Sequence, residues 1–386
     1  MKSLICRTAA SALLWLLSSP AGATTPPARP PSATPAAEVA VANSYKRSIV
    51  AAGNGVTYSL QVFMPRGYTP GDGKRYGVFY FIPGNAFGTF FSQVTRFLAA
   101  GDIPPLILVG VDFPPDDSYS MDLPTAGKDP HWTVPDNRGA ANFLRIFQQD
   151  IKPYIDRSFP TNPDDTGIGG HSLGGFFALY ALFNAPQQFQ HVYASSPSLV
   201  WQDFVLLTQE QQLHALHPEV AARVFVDQGG LESDDGRLAA LDAAVAGHHY
   251  PALHWHAERT QGQTHQTIAF RNAIDALYAI YGPQLRQAPA QELAGSYRTG
   301  DGRTFTLANA DGQLMMIGFG DEPQERVTLL SSAPDAWFER YVWTRVQVLR
   351  DHGKVQGLAI SLEDTPGPNG ARKDHLVHAV RVPSAG

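Results

Sequence analysis

The sequence is poor in cysteine and in charge. Of its 386 residues only Cys6 is a cysteine, and 17% are Asp, Glu, Lys or Arg, compared with about 25% in a typical soluble domain. If the segment that carries Cys6 is removed, disulfides, thiolate catalysis and cysteine zinc sites are all excluded. The net charge is −6 and no run of Lys and Arg occurs. Because a nucleic-acid-binding surface needs a basic patch, we do not expect that class of function.

The sequence also has no apolar run long enough to span a bilayer. A short basic start precedes residues 11–18 (SALLWLLS), and a small-residue A-x-A site follows at residues 21–23. This order is typical of a secretory signal peptide, and the apolar run is shorter than the about 20 residues of a transmembrane helix. We therefore expect cleavage after Ala23, removal of residues 1–23, and a secreted or periplasmic protein. An uncleaved N-terminal anchor is the alternative.

What is present is a linker followed by a long segment of mixed periodicity. Residues 24–44 are rich in proline and predict an extended linker. Over residues 45–282, apolar runs alternate with segments of helical spacing. The runs at 77–82 and 106–111 are continuous, as in strands that are covered on both faces. Because parallel strands need a crossover connection, this alternation predicts an α/β domain with a mostly parallel sheet.

The pattern changes after the last predicted helix, which ends at Gly282 and Pro283. Residues 283–292 are polar and predict a hinge. Over residues 293–386 the short apolar runs have a period of two and are separated by turn sequences such as Gly300-Asp301-Gly302. This predicts a separate small antiparallel β domain at the C-terminus, either a sheet or a small barrel.

The strongest local signal is Gly170-His171-Ser172-Leu173-Gly174. It follows a short strand that we predict to end near Ile168, and it opens a helical segment. A nucleophile on a tight strand-to-helix turn needs small neighbours, so that the backbone can pack and a substrate can approach. We therefore predict Ser172 as a nucleophile. The developing oxyanion needs N–H donors, and we expect them from the backbone of Leu173 and of Asn85, which follows the run at 77–82.

A serine nucleophile needs a base and an orienting acid, which in this arrangement follow in the order Ser, acid, His. His265 lies between an apolar run at 252–256 and the last predicted helix, where a loop can return it to Ser172. Four acidic residues follow the run at 223–226, and we favour Glu232 because a double glycine turns the chain just before it. The other three are Asp227, Asp234 and Asp235.

The remaining histidines have simpler interpretations. Since adjacent side chains on such a turn point apart, we interpret His171 as a packing residue. A metal cluster at His248, His249, His254 and His256 would need a carboxylate at a fitting spacing, and none stands out. We predict no metal and no cofactor.

A long segment without periodicity, residues 112–136, predicts a functional cap over a substrate pocket. We expect Tyr119 and Trp132 in this segment, and Trp201 further along, to bind substrate. The alternative is that both tryptophans belong to the core. Because such a pocket is built from loops, the sequence does not name the substrate.

The segments at 77–84, 106–112, 139–159, 169–175 and 195–201 (SSPSLVW) occur in a familiar order. Over about residues 45–282 the chain resembles the esterase D and enterochelin-esterase-like group of α/β-hydrolases. The resemblance implies an α/β-hydrolase fold and a serine esterase acting on a small-molecule ester, with Ser172 as nucleophile, Glu232 as acid and His265 as base. The start of the tail, residues 293–298, resembles a small β domain that is appended to secreted serine hydrolases.

Other functions remain open from the sequence alone. A secreted acyltransferase or a peptidase would use the same triad, and a hydrolase-fold binding protein would have lost the chemistry. The sequence does not indicate the oligomeric state.

Overall fold

The computed structural model describes residues 41–99, 102–115, 118–129, 133–283, 290–310, 313–319, 323–339, 344–363 and 374–382. The predicted signal peptide, the linker up to residue 40, Trp132 and residues 284–289 of the predicted hinge lie outside the described residues. In the described part of the chain no helix is both long enough and apolar enough to cross a membrane.

The first part of the chain folds around an eight-stranded sheet. Its strands are β1 (Ser44–Val50), β2 (Thr57–Phe63), β3 (Tyr76–Ile82), β4 (Leu106–Asp112), β7 (Thr161–His171), β8 (His191–Ser195), β9 (Ala221–Gly229) and β10 (Ala252–Thr260). The order is β1-β2-β4-β3-β7-β8-β9-β10. The two pairings that involve β2 are antiparallel, and the other five are parallel. A further small sheet pairs β5 (Gly127–Lys128) with β6 (Thr133–Val134).

Helices cover both faces of this sheet. They are α1 (Gly84–Leu98), α2 (Ser118–Asp122), α3 (Ala140–Ile146), α4 (Lys152–Ser158), α5 (Leu173–Asn184), α6 (Val205–Leu216), α7 (Arg237–His248) and α8 (Ile268–Tyr281). A π-helical turn, Phe147–Ile151, joins α3 to α4. Residues 140–158 therefore form three consecutive helical segments. The helix α6 was not predicted, because its polar stretch of Thr and Gln residues weakens the apolar spacing.

Strand β3 shows why the sheet is buried on both sides. All seven of its residues are buried. Val78, Tyr80 and Ile82 belong to the core beneath α3 and α5, whereas Phe79 and Phe81 belong to the core beneath α1 and α8. Successive side chains on a strand point to opposite faces, so a continuous apolar run fills two cores at once.

The C-terminal part is a closed antiparallel barrel. Its strands are β11 (Gly295–Thr299), β12 (Thr304–Ala310), β13 (Gln313–Ile317), β14 (Arg326–Ala333), β15 (Ala336–Glu339), β16 (Thr344–Asp351), β17 (Lys354–Glu363) and β18 (Asp374–Arg381). Pairing of β11 with β18 closes the barrel, so the predicted β domain is a barrel rather than an open sheet. Inward side chains such as Tyr297, Leu307 and Leu358 form a core of its own. Strand β18 was not predicted, because Leu376, Val377 and Val380 place apolar side chains on both of its faces.

The α/β part and the barrel line a shared cleft of about 570 Å³. Ile103 and Tyr281 line it from the α/β side, and Phe338 and Arg345 line it from the barrel side. Ile103, Tyr281 and Phe338 are nearly buried, at 4%, 6% and 2% exposure. On the α/β side, the cleft is lined by residues just before β4 and by the last residue of α8. It therefore lies at the sheet edge opposite the carboxyl ends of the parallel strands.

Candidate active site

Ser172 lies on a sharp turn between β7 and α5. Strand β7 runs through His171, so the prediction that it ends near Ile168 was wrong by three residues. Ser172 has a φ of +58°, a conformation that is uncommon for residues other than glycine. Side chains at the neighbouring glycines would not fit: a Cβ on Gly170 would lie 2.3 Å from the Gly174 backbone, and one on Gly174 would lie 2.1 Å from the Ile82 carbonyl oxygen.

His265 and Glu232 meet at the same edge of the sheet. His265 Nδ1 lies 2.8 Å from Glu232 Oε2, and the Gly229 N–H donates to Glu232 Oε1 at 2.7 Å. Ser172, Glu232 and His265 follow β7, β9 and β10. The carboxyl ends of parallel strands share one edge, which is where open α/β sheets build their sites.

Hydrogen bonds keep the Glu232 carboxylate ionised. Burial alone raises the pKa of Glu232, but the hydrogen bonds from Ser196, His265 and Gly229 outweigh it and leave that pKa below its ordinary value. An ionised carboxylate on Nδ1 holds the proton there, which leaves Nε2 free to act as a base.

Ser172 and His265 are not hydrogen-bonded to each other here. Ser172 Oγ lies 3.5 Å from Ser198 Oγ, and within the described ranges no hydrogen bond joins it to His265. Catalytic hydrogen bonds are often long without substrate and tighten in the complex. The Ser198 N–H also donates to the Ser172 carbonyl at 3.2 Å, which ties this loop to the turn.

The other candidate acids have different partners. Asp227 is fully buried and accepts hydrogen bonds from Tyr193 Oη at 2.8 Å and the Ser196 N–H at 3.2 Å. Burial raises the pKa of Asp227 to about 6. Asp234 lies 3.4 Å from an Arg259 nitrogen, and Asp235 pairs with Arg237. Of the four acids, Glu232 is the one placed against His265.

The two predicted oxyanion donors differ in their surroundings. The Leu173 N–H belongs to the first turn of α5, where an α-helix leaves its N–H groups without intrahelical acceptors. The Asn85 N–H donates to Asp112 Oδ1, and Gln61 Nε2 donates to the other oxygen of Asp112 at 2.7 Å. The Asn85 N–H can bind an oxyanion only after its hydrogen bond to Asp112 has broken.

His171 packs beside His265. Its ring centroid lies 4.5 Å from that of His265 and 5.4 Å from that of Phe87. Burial, and then the nearby charge of His265, lower the pKa of His171 to about 4. His171 is therefore neutral at physiological pH and adds an uncharged wall to the site.

The two predicted substrate-binding residues that the structure describes, Tyr119 and Trp201, occupy different settings. Tyr119 Oη donates to the His171 carbonyl at 3.2 Å and accepts from the Gly174 N–H at 3.3 Å, so this hydroxyl braces the turn that carries Ser172. Trp201 is buried, and its indole N–H donates to Thr125. Trp132 lies outside the described residues. Substrate contact by these side chains stays a prediction.

The four histidines considered for a metal cluster are not gathered together. His248 pairs with Glu210 at 2.8 Å and His256 with Glu258 at 3.0 Å. Over the ranges that the structure describes, no group of three His, Cys, Asp or Glu side chains is arranged to hold a metal ion.

Three residues at this site were not assigned a role from the sequence. Ser196 and Ser198 lie in the SSPSLVW segment, which was noted only as part of a resemblance. Asp112 ends the apolar run of β4, and its polar side chain at the carboxyl end of a buried strand was an available signal.

The central part of the chain matches a known protein family. Residues 54–275, more than half of the chain, match the family described as "Putative esterase". The chain belongs to this esterase family. Curated relatives include the Ferri-bacillibactin esterase BesA of Bacillus subtilis (strain 168), which is 32% identical over 160 residues, or 37% of this chain and 55% of the relative. The Iron(III) enterobactin esterase of Dickeya dadantii (strain 3937) is 28% identical over 197 residues, or 48% of this chain and 42% of the relative.

These matches span about half of the curated relatives' own length. Solved structures extend the likeness of the fold. The BES protein from Bacillus cereus has a TM-score of 0.56 at 23% identity and covers 64% of this chain and 99% of its own. Siderophore hydrolase EstB from Aspergillus nidulans has a TM-score of 0.53 at 21% identity and covers 64% and 98%. The α/β part of this esterase-family chain is therefore an α/β-hydrolase fold, as predicted.

Proposed function

We propose that this protein is a secreted serine carboxylic ester hydrolase that acts through Ser172, His265 and Glu232. The observation that carries the proposal is the 2.8 Å contact between His265 Nδ1 and Glu232 Oε2, at the sheet edge where Ser172 lies on a turn with a φ of +58°. Membership of the esterase family supports the same chemistry. The signal-peptide pattern of residues 1–23 supports export.

The proposed reaction has two halves. Ser172 Oγ bonds to the ester carbonyl carbon while its proton moves to His265 Nε2, and the leaving alcohol then takes that proton as the C–O bond breaks. In the second half, water loses a proton to Nε2 and attacks the acyl-enzyme, and the acid leaves as the proton returns to Oγ. Glu232 stabilises the imidazolium in both halves. The Leu173 N–H, joined by the Asn85 N–H once Asp112 releases it, is proposed to bind the oxyanion.

Aromatic side chains beside His171, whose ring packs on His265, suggest where an apolar part of the substrate binds. Phe270 lies 5.1 Å from Phe87 and 4.9 Å from Phe90, between ring centroids, and Phe87 contacts His171. Phe270 is 43% exposed, which leaves an aromatic surface open to a ligand. Since curated relatives are named Ferri-bacillibactin esterase, Iron(III) enterobactin esterase and Siderophore enterobactin esterase, siderophore esters belong in the first substrate panel together with simple aryl and alkyl esters.

A test of the proposed function separates ester hydrolysis from its rivals. We expect the purified protein to release p-nitrophenol from p-nitrophenyl acetate and butyrate, and to leave p-nitroanilides largely intact. Added primary alcohol should not divert most of the acyl group from water. Dominant transfer of the acyl group to the alcohol would instead indicate an acyltransferase, and preferred cleavage of the anilides would indicate a peptidase. A protein that turns over none of these compounds and no siderophore ester would be a binding protein.

The barrel is proposed to be dispensable for the chemistry. Every residue assigned to catalysis precedes residue 283, and the barrel has a core of its own. We expect a chain that ends at Gln287 to fold and to hydrolyse p-nitrophenyl acetate within a fewfold of the full-length rate. Its melting temperature should fall modestly, because Ile103 and Tyr281 lose the cover of the shared cleft.

The truncated chain is checked by thermal melting and small-ester turnover beside the full-length protein. A folded, soluble truncated chain without turnover would mean that the barrel contributes to the active site.

A further inference from the structure

We infer that Ser196 is a positioning residue that locks the proposed acid against the proposed base. The inference rests on the proposed function of Ser172, Glu232 and His265. The Ser196 hydroxyl lies 2.8 Å and 2.7 Å from the two Glu232 oxygens and 2.9 Å from His265 Nδ1. It therefore touches both partners of the hydrogen bond that orients the imidazole.

The arrangement fixes which atom donates. His265 Nδ1–H donates to the carboxylate, so the single proton of the Ser196 hydroxyl also goes to the carboxylate. A lone pair of Ser196 Oγ then faces Nδ1–H. Together with the Gly229 N–H, the Glu232 carboxylate accepts three hydrogen bonds from three directions. Such a carboxylate has little freedom to rotate away from the base.

The backbone of Ser196 is held in the conformation that this contact needs. Its φ is +39°, which is costly for a residue with a Cβ. The Ser196 N–H donates to the Asp227 carbonyl at 2.8 Å and to Asp227 Oδ1 at 3.2 Å. Ser196 is also only 3% exposed. A glycine would relieve the strain here, so the presence of serine indicates that the hydroxyl is used.

Among the residues that the structure describes, few charged or titratable groups surround this contact. Glu232 and His265 touch the hydroxyl directly, Asp227 lies behind its backbone N–H, and His171 packs on the His265 ring. Arg259 reaches the Glu232 carbonyl oxygen at 3.0 Å from the neighbouring strand. Without the hydroxyl, the Glu232 carboxylate accepts one hydrogen bond fewer from a neutral donor, and its charge acts more fully on the imidazolium. Since a hydrogen bond between two charged groups is stronger than one to a neutral group, the imidazolium is stabilised. We therefore expect the acidic limb of the pH profile to move to higher pH.

The test uses Ser196→Gly and Ser196→Ala in the full-length protein. Both should lower kcat for p-nitrophenyl esters by about ten- to a hundredfold, which is the range for losing a hydrogen bond to a charged group. KM should change by less than about twofold, because the hydroxyl supports a proton transfer rather than substrate binding. The acidic limb of kcat/KM should move upward in both variants.

Ser196→Gly separates positioning from folding. Glycine accepts a positive φ, so this variant should melt at or above the temperature of Ser196→Ala while it stays equally slow. Ser92→Ala is the matched control: Ser92 is a buried serine on α1 that donates to the Thr89 carbonyl, and it should keep the wild-type kcat and pH profile.

A folded Ser196→Gly with wild-type kcat and an unmoved acidic limb would overturn the positioning role and leave the proposed function intact. Wild-type protein without Ser172-dependent turnover would overturn the proposed function, and the role of Ser196 with it.

Discussion

Replacing Ser172 by alanine is expected to lower kcat/KM for p-nitrophenyl esters by on the order of 10⁴-fold or more, because a triad loses most of its rate when the nucleophile is removed. The backbone keeps its turn, since alanine has the same Cβ as serine. The melting temperature should therefore stay close to that of the wild type. Initial rates and thermal melts on the same preparations check both parts.

The control for this variant is Ser92→Ala, which removes a buried hydroxyl from the same domain without approaching the site. It should retain wild-type turnover. Near wild-type activity of Ser172→Ala on every ester tested would instead make Ser172 a packing residue and would remove the basis of the proposed function.

Glu232→Gln is expected to have the second-largest effect, with a loss in kcat on the order of 10³–10⁴-fold. An amide cannot hold the proton on His265 Nδ1 as a carboxylate does, and its N–H₂ group favours the wrong tautomer. The hydrogen bonds that lower the pKa of Glu232 keep it ionised in the wild type, so the difference should persist across the neutral pH range.

Asp234→Asn and Asp235→Asn are the matched controls. Their side chains are 61% and 47% exposed and face Arg259 and Arg237 rather than His265. Both variants should keep kcat within about twofold, as is usual for exposed charges away from the chemistry. If either control were slower than Glu232→Gln, the acid would be reassigned while the esterase proposal stood.

The buried strands of the sheet and the turn at Ser172 can be predicted from the sequence because both depend on local patterns. The continuous runs of β3 and β4 indicate buried parallel strands, and the glycines around Ser172 indicate a turn too crowded for side chains. The predicted positions of Ser172, Glu232 and His265 after three parallel strands place them at one edge of the sheet without knowledge of any distance.

Contacts between distant segments could not be predicted in this way. Ser196 contacts Glu232, which is 36 positions away in the sequence. The contact depends on a positive φ at Ser196, which the residue type does not predict. The contact of Asp112 with the Asn85 N–H depends on β3 and β4 being neighbours in the sheet. Strand β18 was missed because apolar side chains on both faces erase the period of two, and α6 because its exposed face is long and polar.

The most direct test of the central claim is labelling with a fluorophosphonate, followed by mass spectrometry of the peptide that carries the adduct. A serine activated by His265 attacks the phosphorus and loses the fluoride, so the probe reports on the nucleophile itself. We expect one adduct per chain, on Ser172, absent from Ser172→Ala and formed much more slowly in Glu232→Gln. Active protein that stays unlabelled, or that carries the adduct on another residue, would contradict the assignment of Ser172 as the nucleophile.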